Sequence, residues 1–386
     1  MTLYSHLPIH FIHQPTQLRD HLPALLNASE LGIDCESDSF YSYHEKVCFL
    51  QISTIEALYI LDCLKFSSLT ELKPLFSNPN VPKYIHGADF DIISLNRDYH
   101  LSIYGLFDTM VASQVLNCTA VGLGAQVKNY FGVNLDKSLT TSPWHQRPIS
   151  AEMQDYLVND IRYLIPLGRL LRSHLERRGS LPLAEEEFLD VEQKRWKKKE
   201  FNPGDFIQVK GANRLSFKQQ KFLFQLYGMR EQVAQESNQA AHWILNSRQL
   251  LEMATLDLET EADLRKLSFS CPKRVRSKVI TASQETKKMP ADWEAPPKTP
   301  KEPEQLTSFL NAEKQARFQS LKAWRDAKSQ EYNLLPWMVS SNKTLFLIVK
   351  HFPRNLKQLS SIQHFHGFRL TLFGKELLEK LHSHSK

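Results

Sequence analysis

The chain has 386 residues, 42% of them apolar and 23% charged, with 48 Lys and Arg against 42 Asp and Glu for a formal net charge of +6. That length is enough for two or three domains, and the apolar content is enough to bury a core. The longest apolar stretches, such as residues 344–349, are far too short to cross a bilayer, so a membrane-spanning helix is excluded.

In chain order, IHFIH near residue 10 predicts a first strand, and TQLRDHLPALLN predicts a helix started by Thr16. LGIDCES, VCFLQIST and ALYILDC predict three more strands separated by polar turns. LTELKPLFSN reads as helix, KYIHG as a short strand and FDIISLNRDY as helix. From Ser150 onward the pattern predicts one long helix, or two broken at Pro166, with Ser150 as a weak cap facing Met153. Early strands followed by alternating strands and helices predict a mixed sheet flanked by helices. Pro203-Gly204 marks a domain junction. Residues 205–280 and 306–386 read as all-helical, and five prolines make 281–305 a linker or a wrapped loop between them.

The two helical halves repeat at a period of 95. GMREQVAQESNQAAHWILNSRQLL from Gly228 aligns with AWRDAKSQEYNLLPWMVSSNKTLF from Ala323, pairing Arg230 with Arg325, Asn238 with Asn333 and Leu250 with Leu345.

Charge is unevenly distributed. Residues 1–170 hold 11 Lys and Arg against 17 Asp and Glu, whereas residues 171–386 hold 37 against 25. An acidic half suits a cation and a basic half suits a polyanion, a balance expected of a nucleic-acid enzyme. Residues 195–200 and 271–278 are the basic runs best suited to phosphate, and in 214–227 the apolar spacing favours a packed core. Five cysteines (Cys35, Cys48, Cys63, Cys118 and Cys271), without a CxxC pair, point to reduced thiols in a cytoplasm and against structural zinc. The N-terminus lacks the charged and apolar regions of a signal peptide.

The chemistry lies in a scattered acidic set. Asp34 and Glu36 are two apart on a strand, so both leave one face. Asp91 opens a helix, and Tyr156 and Asp160 are four apart on another, so they stack on one face. Carboxylates aimed at one point repel one another unless a divalent cation sits between them, and all-oxygen ligation favours Mg²⁺ or Mn²⁺. Asp89 competes with Asp91 for this role. Asp108 in FDT and Asp136 in LDKS read as loop or cap residues, with Lys137 as a candidate phosphate contact.

These segments resemble the three motifs of the DEDD exonucleases that carry a tyrosine in the third motif, and within them ribonuclease D. The likeness extends through HGADFDI, FDT, GVNLDKS, Trp144, RPIS and YLVNDIRYLIPL, over roughly residues 8–170. The C-terminal half resembles two copies of the HRDC domain found in helicases and in ribonuclease D. The resemblance implies a ribonuclease H-like α/β domain over 1–200 and two all-α HRDC-like domains over 205–280 and 306–386. It implies two divalent ions: Asp34 bridges both, Glu36 and Asp160 complete the first site, and Asp91 supports the second. Tyr156 would orient the attacking water. Asp89 falls at a variable position of the pattern, which selects Asp91. Cys35 stands where threonine is usual and should point away from the acids.

The implied activity is 3′→5′ exoribonuclease release of 5′-mononucleotides, trimming transfer-RNA precursors and other small structured RNAs. A monomer is expected, with RNA as partner and neither a membrane nor a small organic cofactor. A DNA-directed exonuclease of the same superfamily and a non-catalytic RNA-binding module are the alternatives.

Overall fold

A computed structural model describes residues 6–198, 200–299 and 310–383. These divide into two compact units, one within Met1–Glu36, Val47–Trp196 and Lys301–Lys386, the other within Ser37–Lys46 and Lys197–Pro300.

The first unit is built on six strands: β1 (Ile9–Ile12), β2 (Leu31–Ser37), β3 (Val47–Ser53), β4 (Leu58–Asp62), β5 (Lys83–Ile85) and β6 (Leu106–Asp108). They form one mixed sheet in the order β1-β4-β3-β2-β5-β6. β3 and β4 pair antiparallel, while β1 with β4, β2 with β5 and β5 with β6 pair parallel. Every residue of VCFLQIS and LYILD is buried, as expected of central strands covered on both faces.

The helices of this part are α1 (Pro15–Leu26), α2 (Lys73–Phe76), α3 (Asp89–Tyr99), α4 (Thr109–Val115), α5 (Leu123–Phe131), α6 (Ala151–Arg162), α7 (Leu164–Arg178) and α8 (Leu181–Glu192). α1 begins at Pro15 rather than at Thr16. The fixed φ of proline suits a first helical position, and Gln17 Oε1 accepts from the N–H groups of His13 and Gln14. The predicted long helix is two, interrupted at Tyr163. Pro166 supplies no N–H, and its ring clashes with the carbonyl four residues back, that of Arg162. α7 lies tightly on the sheet: a Cβ on Gly168 would fall 1.9 Å from the Tyr84 ring, and one on Gly32 would fall 2.9 Å from Leu164 Cβ.

In the second unit the helices are α9 (Phe217–Ser237), α10 (Ala241–Ile244), α11 (Ser247–Thr255) and α12 (Lys273–Lys288). α12 takes up the first eight residues of the segment expected as linker, and Trp293 beyond it packs on Phe206, Phe217 and Phe224. Residues 300–305 of that segment lie outside the described residues. The C-terminal repeat comprises α13 (Ala312–Glu331), α14 (Pro336–Val339), α15 (Asn342–His351), α16 (Leu356–Leu359) and α17 (Gly367–His382).

The period of 95 is visible in three dimensions. α9, α10 and α11 begin 95 residues before α13, α14 and α15. Arg230 Nη1 donates to Leu245 O at 3.3 Å, and its counterpart Arg325 donates to Ser340 O at 3.4 Å. Asn238 and Asn333 both take positive φ where their helices end.

The C-terminal repeat shares the first unit with the sheet. Its Met338 enters the sheet's core, and Arg369, 2% exposed, donates to Glu186 Oε2 at 3.2 Å and to Met338 O at 2.8 Å while pairing with Glu187.

Candidate active site

β2 carries Asp34 and Glu36 on one face, and α6 brings Asp160 to them. Carboxylate oxygens of these three all lie within 4.8 Å of one another. Asp91 sits in the first turn of α3, 5% exposed, close enough for its charge to act on Asp34 and Glu36.

Burial, followed by the charges of Asp91, Glu36 and Asp160, holds Asp34 well above the carboxylate range. Burial, followed by the charges of Asp160 and Asp91, pushes Glu36 up to about 9. Burial raises Asp91 to about 7 and raises Asp160 against the lowering pull of Lys137. Two acids raised by their neighbours' charges, beside two raised by burial, are an arrangement a hard divalent cation relieves. The donor set is all oxygen and therefore fits such an ion. Asp34, Glu36 and Asp160 form one cradle, with the Asp91 charge acting on Asp34 beside it.

Lys137 Nζ donates to Asp160 Oδ1 at 2.6 Å and lies 5.3 Å from the centroid of the Tyr156 ring. Tyr156 is 6% exposed; its hydroxyl lies 3.2 Å from Thr140 Oγ1 and near enough to Asp160 for the two groups to influence each other's titration. Burial and the adjacent carboxylates raise its pKa, so this phenol is a hydrogen-bond donor at neutral pH. Trp144, 1% exposed, packs its ring between Phe49 and Tyr156.

The two acids of HGADFD separate cleanly. The Asp89 side chain is 58% exposed and ion-paired with Lys194, whereas Asp91 faces the cluster. Asp108 is the structural residue expected. Its carboxylate accepts from the N–H groups of Gly87, Ala88, Met110 and Val111 at 2.8–3.1 Å, pinning the turn that delivers Asp91 while capping α4. Asp136 accepts from Ser138 N at 2.8 Å, an ordinary loop contact.

Alternation along β2 points Cys35 away from the cradle, and the residue lies near enough to Asp91 for the two groups to influence each other's titration. Thr140 is a site residue that the sequence motifs do not single out, although it follows Lys137 by three residues in the same polar loop. In the basic run 271–278, Arg276 bonds Cys271 O and Lys278 pairs with Glu236, so part of its charge is used internally.

Residues 9–176 match the family model of the 3′-5′ exonuclease domain, and residues 219–277 and 314–381 match that of the HRDC domain. Exosome complex exonuclease RRP6 of Saccharomyces cerevisiae is 32% identical over 194 residues, covering 50% of this chain and 26% of that protein. Protein RRP6-like 2 of Arabidopsis thaliana is 28% identical over 272 residues, covering 67% of this chain and 31% of that protein. The match thus spans between a quarter and a third of these two relatives.

Among solved structures, the catalytic core of RRP6 from Trypanosoma brucei has 29% identity and a TM-score of 0.68, covering 75% of this chain and 81% of that one. Escherichia coli RNase D shares the fold, with 20% identity and a TM-score of 0.66 over 97% of this chain and 99% of that one. The offset between the two HRDC matches is the period of 95 seen in the helices. The chain thus joins a domain of the 3′-5′ exonuclease family to two domains of the HRDC family.

Proposed function

We propose that this chain is a divalent-metal-dependent 3′→5′ exoribonuclease that releases 5′-mononucleotides and trims the 3′ ends of transfer-RNA precursors and other small structured RNAs. The observation that carries the reading is the convergence of Asp34, Glu36 and Asp160 on one point, with Asp91 and the Tyr156 hydroxyl beside it. Two divalent ions, when bound, would supply charge neutralisation and an activated water for in-line hydrolysis. Asp34, Glu36 and Asp160 would hold the first and Asp34 with Asp91 the second. Tyr156, kept protonated by burial, orients the attacking water as a donor. Lys137, which lies on Asp160, would lend a positive charge to the phosphate of a bound substrate. Support for RNA comes from the similarity to RRP6 proteins and from the basic C-terminal half.

The deciding assay uses a 5′-end-labelled transfer-RNA precursor, an unstructured RNA and a DNA strand of matched sequence, with and without Mg²⁺ or Mn²⁺. The RNAs should shorten one nucleotide at a time only with metal, yielding 5′-monophosphates. Faster shortening of the DNA would make the enzyme DNA-directed. Binding without any shortening would leave an RNA-binding module.

A further inference from the structure

The chain leaves the first compact unit after Glu36, at the end of β2, and enters the second as Ser37–Lys46. Within that unit the segment is firmly attached to the first HRDC domain. Ala240 N donates to Tyr41 O at 2.8 Å, Trp243 Nε1 to Phe40 O at 3.0 Å and His44 N to Asn238 Oδ1 at 2.8 Å. Tyr43 OH bonds Glu231 and accepts from Gln235 Nε2 at 2.9 Å.

This attachment assembles aromatic rings at the surface. Tyr41 and Trp243 stack at 5.8 Å with their planes 11° apart. Phe40 stands edge-on to both, and His242 lies 5.1 Å from it. Phe40 is 44% exposed and Trp243 46%. Hydrogen bonds to the backbone hold these rings outside the domain's own core, so their exposure is built in. Grouped exposed rings of this size mark a binding surface.

Three observations identify the occupant as a nucleic-acid single strand. The exposed groups are flat rings, and every base offers a π-face to stack on them regardless of sequence. The domain is basic, with 18 Lys and Arg against 12 Asp and Glu over residues 197–300, which suits a phosphate chain. Phe40 follows Glu36 by four residues, so covalent geometry keeps their backbones within about 14 Å of each other. A strand whose 3′ end lies at the acids is therefore within a few nucleotides of the rings.

We propose that Phe40, Tyr41 and Trp243 form a base-stacking platform that grips single-stranded RNA a few nucleotides upstream of the 3′ terminus; the inference rests on the exonuclease reading for its direction. It makes the β2–β3 segment and the first HRDC domain one substrate-gripping element, continuous in chain with the catalytic strand.

The test measures binding of the full chain in chelator, where hydrolysis plays no part, by fluorescence anisotropy. The probes are a 5′-fluorescein (CAA)₄ RNA and the same strand with interior abasic sites, which keeps the phosphates and removes the stacking faces. The wild type should prefer the base-bearing strand. Phe40→Leu and Trp243→Leu should each weaken it roughly tenfold, the scale of one stacked base, and erase that preference. Trp243→Phe keeps a ring and should retain the preference. Hydrolysis of a dinucleotide, too short to reach the rings, should be unchanged in all three. Equal wild-type affinity for the two strands, or variants that bind like the wild type, would overturn the platform. Failure of the exonuclease reading would appear separately, as wild-type protein that does not shorten RNA with metal.

Discussion

Lys137 Nζ lies 2.6 Å from Asp160 Oδ1, so a lysine from the loop after α5 sits on one wall of the carboxylate cradle. Its charge lowers Asp34, Glu36 and Asp160, and under the proposed function the same charge would draw in a phosphate. Lys137→Met should therefore strengthen divalent-cation binding, by about three- to tenfold, because a positive charge no longer opposes the ion. The same change should lower kcat/KM for RNA. Calorimetric titration with Mn²⁺ and steady-state kinetics separate the two, and weaker cation binding in the variant would contradict this account.

Asp34→Asn and Asp160→Asn should lower metal-dependent hydrolysis by several orders of magnitude. They should leave the metal-free protein as stable as before or more so, since each removes one of the mutually repelling charges. Asp89→Asn removes only an exposed pair with Lys194 and should alter activity little. Hydrolysis rates and melting curves for the set check this, and a larger loss for Asp89→Asn than for Asp91→Asn would reverse the assignment.

Tyr156→Phe deletes a hydroxyl between Thr140 and Asp160. The chemical rate should fall roughly ten- to thousandfold, the range for one positioned hydrogen-bonding group, with metal and RNA binding retained. Single-turnover kinetics at saturating metal provide the measurement. An unchanged rate with weakened metal affinity would reassign the residue to the cradle.

Glu36 at about 9 and Asp91 at about 7 are far above ordinary carboxylates near 4. The folded, metal-free protein keeps protons that the unfolded chain gives up, so the stability contributed by these groups is full below about pH 4 and is lost as pH rises toward 9. Its melting temperature should fall between pH 5 and pH 9, more steeply than that of Glu36→Gln, and saturating Mg²⁺ should oppose the fall by taking the protons' place. A wild-type curve no steeper than that of Glu36→Gln would count against it.

Arg369→Ala strips the partner from the buried Glu186 and frees the Met338 carbonyl. Removing one member of a buried pair costs about 3–5 kcal/mol, to be read from the denaturant midpoint. A shift near zero would mean that the C-terminal repeat is held to the nuclease by its apolar contacts alone.

Spacing within single elements is legible in the sequence. Asp34 and Glu36 share a strand face, Tyr156 and Asp160 share a helix face, and the duplication shows at a fixed period, because each depends only on local geometry. Expectation and structure part where another residue or element intervenes. Thr16 resembles a helix start, but Pro15 already has the φ a helix needs. The segment after residue 280 looks proline-rich as a whole, while its first eight residues continue α12.

Residue types and their spacing alone announce the mixed α/β domain, the tandem helical repeats and an acidic set of the kind that suits a hard cation. Periodicity states which face of each element carries which chemistry, and composition states what that chemistry attracts. Which faces meet depends on how the whole elements pack. That packing put Lys137 on Asp160, gave Asp108 four backbone donors that aim Asp91, and seated the C-terminal repeat through Arg369. It also tied Phe40 and Tyr41 to the first HRDC domain. Each of these joins residues far apart in the chain, and such contacts follow from the packing of whole elements rather than from any local pattern.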